Sequence, residues 1–202
     1  MNGTASGAHR DAAATLAAGI AAAFIPGATV DSVLKTMTAH SSCLVRRAIE
    51  LTMDLAYVSE TVDGFAQKFY DKMLDWTWPS RNWQKERFFS ASTLEIVPAT
   101  MALFYLCDGR VNECIVEGAS FGRDCDTIGR SVGCLASALR GAGSIRQDWI
   151  KTVEKANEDL FGELEGDSKA DFCSMARRLP KALQSERQAT QERLDMLNDL
   201  LG

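Results

Sequence analysis

The stretch Phe121-Gly122-Arg123-Asp124-Cys125-Asp126-Thr127-Ile128-Gly129, followed by Gly133-Cys134-Leu135-Ala136-Ser137-Ala138-Leu139, decides how this chain is read. A short helix from Val111 to Ala119 leads into it, and the small and apolar residues behind it predict a second helix that runs to Arg140. Several oxygen donors therefore converge just before a helix. Asp124, Asp126 and the Thr127 hydroxyl are hard donors that suit Mg²⁺, Mn²⁺ or Ca²⁺ rather than thiolate-loving metals. The same three residues also suit a plainer role, capping the helix and complementing its dipole. Spacing alone leaves both readings open. Glycine at 122 lets a ligand or backbone approach closely, and Arg123 has the fork geometry to grip a phosphate or carboxylate. Gly129 and Gly133, four apart, permit close helix-to-helix contact. Arg130, one turn past the acids, either balances their charge or reaches solvent.

Working outward, the chain reads as helices throughout. From Asp11 to Phe24 nearly every residue is small or apolar, which predicts a helix packed closely on several sides until Pro26-Gly27 stops it. A second helix is expected near Thr29, with Asp31 in its first turn, Val30, Val33, Leu34 and Met37 on its apolar face and His40 at its end. Leu44, Ala48, Leu51 and Leu55, then Phe65, Phe69 and Met73, repeat at three and four and predict two more. Trp76 to Arg87 lacks periodicity and is expected to be a long loop tethered by its tryptophans. Ser92 with Glu95 has the form of a capping box that opens a helix, and Pro98, about a turn inside it, leaves a start nearer itself open as well; Asp108-Gly109 ends it. Ser144 with Gln147 forms a second such pattern, opening a helix of Trp149, Val153 and Ala156. A polar stretch with Gly162 and Gly166 follows, then a long helix from about Phe172 to Leu201 with Leu183, Ala189, Leu194, Leu197 and Leu201 in a stripe that packs on its own domain or on a partner. Alternating apolar and polar residues over strand length are nearly absent. The fold class is all-α.

Composition agrees. The 202 residues, 46% hydrophobic and 24% charged, are ordinary globular composition, and the 15 glycines and 4 prolines fall below the usual share of about 12%, which disfavours turn-rich sandwiches. Net charge −5 argues against a general grip on nucleic-acid phosphates, so no nucleic acid is expected as a partner. Six scattered cysteines without a C-x-x-C pair read as reduced thiols, and with only His9 and His40 available a structural zinc is not expected. The apolar run from Ala12 to Ile25 follows Asp11 and falls short of the roughly 20 residues that span a bilayer. The expected location is cytoplasmic, with no membrane partner.

The run from Phe121 to Gly129, with Gly133 to Leu139 behind it and Trp149 and Asn157 downstream, resembles the C-terminal metal motif of the ADP-ribosylglycohydrolases. Glu95-Ile96-Val97-Pro98-Ala99, Leu103-Phe104, and the early Asp11-Ala12-Ala13 to Pro26-Gly27-Ala28-Thr29-Val30 look like the corresponding family helices. The likeness covers most of residues 9 to 160. It implies an orthogonal multi-helix bundle holding two Mg²⁺ or Mn²⁺ ions, which bind the ribose of an ADP-ribosyl group and assist hydrolysis of its glycosidic bond. Carried over, Asp124, Asp126 and Thr127 are metal ligands, Asp124 and Asp126 also catalytic, and Gly122 and Arg123 line the ribose or phosphate side, where the family often has a second glycine in place of Arg123. A dinuclear site suits this chemistry without the paired acid and base of ordinary glycosidases.

The family usually also carries a Thr-Asp-Asp or Ser-Asp-Asp motif in a glycine-rich, acidic N-terminal portion, and nothing in this chain matches it. The resemblance therefore implies a fold truncated at its N-terminus, with residues 1–160 as the glycohydrolase-like helical domain and 161–202 as polar linker and C-terminal helix. Octahedral Mg²⁺ has about six positions, and three residues here would serve two ions, so fewer ions are expected. Three outcomes follow: a fragment whose hydrolysis is impaired alone, a chain paired with a companion polypeptide that contributes the absent motif, or a pseudoenzyme kept for binding or assembly; a homo-oligomer is also open. Other candidates rank lower. Trp76, Trp78 and Trp83 with Arg81 and Arg87 read as loop anchors before base-stackers, His40 as a cap or surface residue, Cys125 as a poor nucleophile between carboxylates, and Ser90 and Ser92 lack a histidine.

Overall fold

The structure is a computed structural model, and it describes residues 5–73, 92–161 and 172–201. Among these residues there are helices and turns and no strand. The helices are α1 (Ala5–Ala23), α2 (Val30–His40), α3 (Cys43–Tyr57), α4 (Val62–Met73), α5 (Thr93–Leu106), α6 (Val111–Ser120), α7 (Cys125–Arg140), α8 (Gln147–Phe161) and α9 (Phe172–Leu201). Residues Met1–Ile145 and Arg146–Gly202 form two compact units.

The first unit is built around α5. Its residues from Leu94 to Phe104 are buried without a break, so this helix carries no polar face at all. Met101, Leu103 and Phe104 are wholly enclosed, and each such side chain contributes roughly 1.5–3 kcal/mol of transfer free energy. That burial also explains why α5 starts at Thr93 rather than near Pro98. Proline inside a helix removes one backbone donor, at a cost of about 3 kcal/mol, and an apolar segment enclosed on every side outweighs it. Helices α3, α7 and α1 pack on α5, and α7 also lies along α6 and α1.

Local signals set several ends. Thr29 caps α2 in a true capping box: its hydroxyl accepts from the Ser32 amide at 3.1 Å, while Ser32 Oγ accepts from the Thr29 amide at 2.9 Å. Asp11 of α1 reaches the Ser42 amide at 3.0 Å and so fixes the turn into α3. After α5 the chain turns through Asp108 (φ +50°) and Gly109 (φ +60°), whose amide donates to the Phe104 carbonyl at 2.9 Å.

One expected capping box is absent. Ser92 makes no side-chain cap bond on α5, and Glu95 is turned inward. Ser144 closes a 3₁₀ turn, Ala142–Ser144, with its hydroxyl donating to the Gly141 carbonyl, and α8 begins at Gln147. In the second unit, Arg146 stacks on the Trp149 ring at 4.7 Å, and Leu183, Leu194, Leu197 and Leu201 are exposed along α9. The tryptophan loop and the polar stretch after Leu160 lie outside the described residues, apart from the last residue of α8. Among the described residues no helix is long and apolar enough to cross a membrane.

Candidate metal centre

Helices α6 and α7 meet at glycines, and that contact places the donor loop. A Cβ on Gly118 would stand 2.6 Å from the Gly129 Cα, and one on Gly129 would stand 3.1 Å from the Ala119 amide nitrogen. No side chain fits between the two backbones, so the end of α6 and the first turns of α7 are held together. Ile115 fills the space beside Gly133. The spacing of Gly129 and Gly133 thus serves close packing, as its sequence pattern predicts.

Between the helices the chain must reverse in four residues. Phe121 anchors the start: its ring packs on Phe65 and Phe69 at 5.8 Å and on Tyr70 at 5.4 Å, all from α4. Gly122 (φ +101°) and Arg123 (φ +47°) then take left-handed backbone, which glycine adopts freely and arginine does not. Asp124 stands at the N-cap of α7, with its carbonyl accepting from the Ile128 amide at 3.0 Å.

Asp126 lies in the first turn of α7, where its charge complements the helix dipole, while Asp124 leaves the capping role unfilled. Asp124 makes no side-chain cap hydrogen bond; its Oδ1 accepts from the Thr127 hydroxyl at 2.9 Å. Asp124 and Thr127 are half-buried, while Asp126 and Arg130 are exposed. Carboxylate oxygens at the mouth of the loop are therefore not spent on backbone amides, and their hard-donor chemistry fits a divalent cation. The set is small. Among the described residues, no group of three or more His, Cys, Asp or Glu side chains comes together as a metal cluster.

Two residues that sequence reasoning did not assign to the site complete it from beneath. Glu95 of α5 is fully buried, and its Oε1 accepts from Arg123 Nε at 2.8 Å and from the Tyr70 hydroxyl at 3.4 Å. Its Oε2 is buried and has no hydrogen-bond partner among the described residues. Burial pushes the Glu95 carboxyl above its usual range; Arg123 and the Tyr70 hydroxyl pull against that, and Asp124 adds to it. Tyr70 is likewise pushed up, by burial first and the Glu95 charge second. The signal in the sequence was a lone acid inside the apolar run Leu94 to Ala99. Arg123, expected to face a ligand, uses its Nε inward and keeps its side chain 23% exposed.

A family model described as ADP-ribosylglycohydrolase matches residues 4–189. The chain belongs to the ADP-ribosylglycohydrolase family. The match runs past both ends of the stretch that carries the sequence resemblance and takes in α1 to α8 and most of α9. This family of all-helical hydrolases acts on ADP-ribosyl groups and generally uses divalent metals. No curated protein and no solved structure matches the chain.

Proposed function

We propose that this glycohydrolase-family chain contributes one half of a Mg²⁺- or Mn²⁺-dependent site that hydrolyses a ribosyl glycosidic bond in ADP-ribosylated substrates, with hydrolysis impaired in the chain alone. The observation that carries the reading is the Asp124–Thr127 pair: a carboxylate fixed by a neighbouring hydroxyl at 2.9 Å and not consumed by the helix it introduces. Asp124, Asp126 and Thr127 hold the cation, and Asp124 and Asp126 are the catalytic carboxylates. A bound divalent ion of this kind supplies Lewis-acid polarisation and lowers the pKa of water. The chain's own residues bind and orient. Gly122 presents no side chain, and the nearest described atom to its missing Cβ is the Tyr70 hydroxyl at 3.9 Å, so a ligand can approach the backbone there. The part-exposed guanidinium of Arg123 lines the phosphate side.

Three residues do not saturate two octahedral ions, and the sequence contains no Thr-Asp-Asp or Ser-Asp-Asp run. The remaining ligands come from outside these 202 residues, from a companion chain. The same ligand count favours a second reading, a non-catalytic binding or assembly protein that retains half of the metal site. Reduced thiols, including the four cysteines described as free, support a cytoplasmic setting. Incubation of the purified chain with Mn²⁺ and an ADP-ribosylated peptide separates the readings. Slow release of ADP-ribose, lost in Asp126→Asn, supports the hydrolase; Mn²⁺ binding without any turnover, even when a companion chain is supplied, supports the second. Efficient release by the chain alone, abolished by Asp126→Asn, contradicts the impairment.

A further inference from the structure

A left-handed arginine and a fully buried glutamate, 28 residues apart in sequence, meet at 2.8 Å beneath the donor loop. Each is costly by itself. Left-handed backbone crowds the Cβ of any non-glycine residue, so a loop free to choose would relax Arg123 toward ordinary backbone. A carboxylate withdrawn from water needs a charged or hydrogen-bonding partner, and among the described residues the cation that faces Glu95 is Arg123. The two costs persist because one contact answers both. Glu95 sits on α5, the most enclosed helix of the unit, and does not move to meet the loop; the loop comes to it. Tyr70 reaches the same carboxylate oxygen from α4, and Phe121 is wedged against the α4 aromatics, so the loop is tied to rigid elements on both sides of Gly122.

We propose that the Arg123–Glu95 ion pair is a latch that holds the Gly122–Arg123 turn in its left-handed form and thereby sets Asp124 and Thr127, making Arg123 a positioning residue for the donor set. The link is direct. Arg123 is followed by Asp124, whose carbonyl starts the α7 ladder at Ile128 and whose carboxylate takes the Thr127 hydroxyl. A change of the Arg123 dihedrals rotates the Asp124 peptide and breaks that arrangement. Arg123 so placed keeps its Nε on Glu95 while its side chain stays 23% exposed. The consequence for metal affinity rests on the proposed reading of Asp124 and Thr127 as cation ligands; the consequence for the loop does not.

The test uses the full chain and two readouts. Amide hydrogen exchange of residues 122–128 is compared among the wild-type chain, Arg123→Gln, Arg123→Lys, and Glu95→Leu, which keeps volume and removes the acceptor. Mn²⁺ affinity is measured by electron paramagnetic resonance on the same samples. The latch gives exchange at least tenfold faster in Arg123→Gln and in Glu95→Leu, no additional acceleration in the double variant, partial rescue by Arg123→Lys, unchanged exchange in α5 residues 99–104, and Mn²⁺ affinity lowered at least tenfold. Unchanged exchange at 122–128 overturns it, and so do additive effects in the double variant. Faster exchange with unaltered Mn²⁺ affinity overturns the positioning role. A wild-type chain that binds no Mn²⁺ overturns the metal reading instead, and the exchange arm still decides the latch.

Discussion

Gly118 and Gly129 lie against each other so closely that a Cβ on the first would stand 2.6 Å from the Cα of the second and 2.9 Å from a Val132 methyl. Alanine at 118 gains about 1 kcal/mol of helix propensity, but one of the atoms it meets is backbone and does not yield. Overpacking of this kind costs roughly 1–3 kcal/mol. Gly118→Ala is therefore expected to lower the melting temperature by several degrees and to weaken Mn²⁺ binding, because α6 and α7 separate at the loop. A raised melting temperature contradicts this contact.

The Arg123–Glu95 pair is unequal, and its two halves are expected to respond unequally. Glu95 is fully buried, while Arg123 is 23% exposed and reaches water when its partner is removed. Arg123→Gln leaves an uncompensated buried charge, a loss of about 3–5 kcal/mol; Glu95→Gln removes the charge itself and costs about 1 kcal/mol. Arg123→Gly relieves left-handed strain of about 1–2 kcal/mol, too little to offset the orphaned carboxylate. Urea unfolding of the three variants orders them; equal losses in Arg123→Gln and Glu95→Gln contradict the assignment.

The same carboxylate gives a pH dependence with a definite sign. Burial raises the Glu95 pKa in the folded state above its ordinary value of 4.5, so across that window the folded chain binds more protons than the unfolded one. This group's contribution is present below pH 4.5 and is lost as pH rises through the folded value. Melting temperatures of wild type and Glu95→Gln, recorded from pH 4 to 7, are expected to draw apart in the wild type's disfavour as pH rises. Parallel curves sink the prediction.

Much of this was legible from the chain. Thr29, Asp31 and the spacing of Val33, Leu34 and Met37 fix α2 because capping and amphipathicity are local properties. The start of α7 behind Asp124 and the close approach at Gly129 follow from the same short-range chemistry. Glu95 was misread for the complementary reason. Three residues after Ser92 it has the spacing of a capping box, yet its fate is decided by Arg123, which no local pattern relates to it. Pro98 marked a boundary by propensity that tertiary burial of α5 overrides.

Thr127 is expected to act through its hydroxyl. Thr127→Val removes the donor to Asp124 at 2.9 Å while keeping the β-branched shape, for a loss of roughly 1 kcal/mol in stability and a clear fall in Mn²⁺ affinity. Thr127→Ser is expected to retain both. If the valine variant binds Mn²⁺ as the wild type does, the hydroxyl has no part in the site.

The reading of this family member turns on whether the loop before α7 takes a cation. The direct measurement is a Mn²⁺ titration of the full chain, followed by electron paramagnetic resonance, beside Asp124→Asn and Asp126→Asn. Weak, saturable binding is expected in the wild type, falling at least tenfold in either variant at unchanged helix content. No saturable binding, or binding that both variants leave intact, contradicts it.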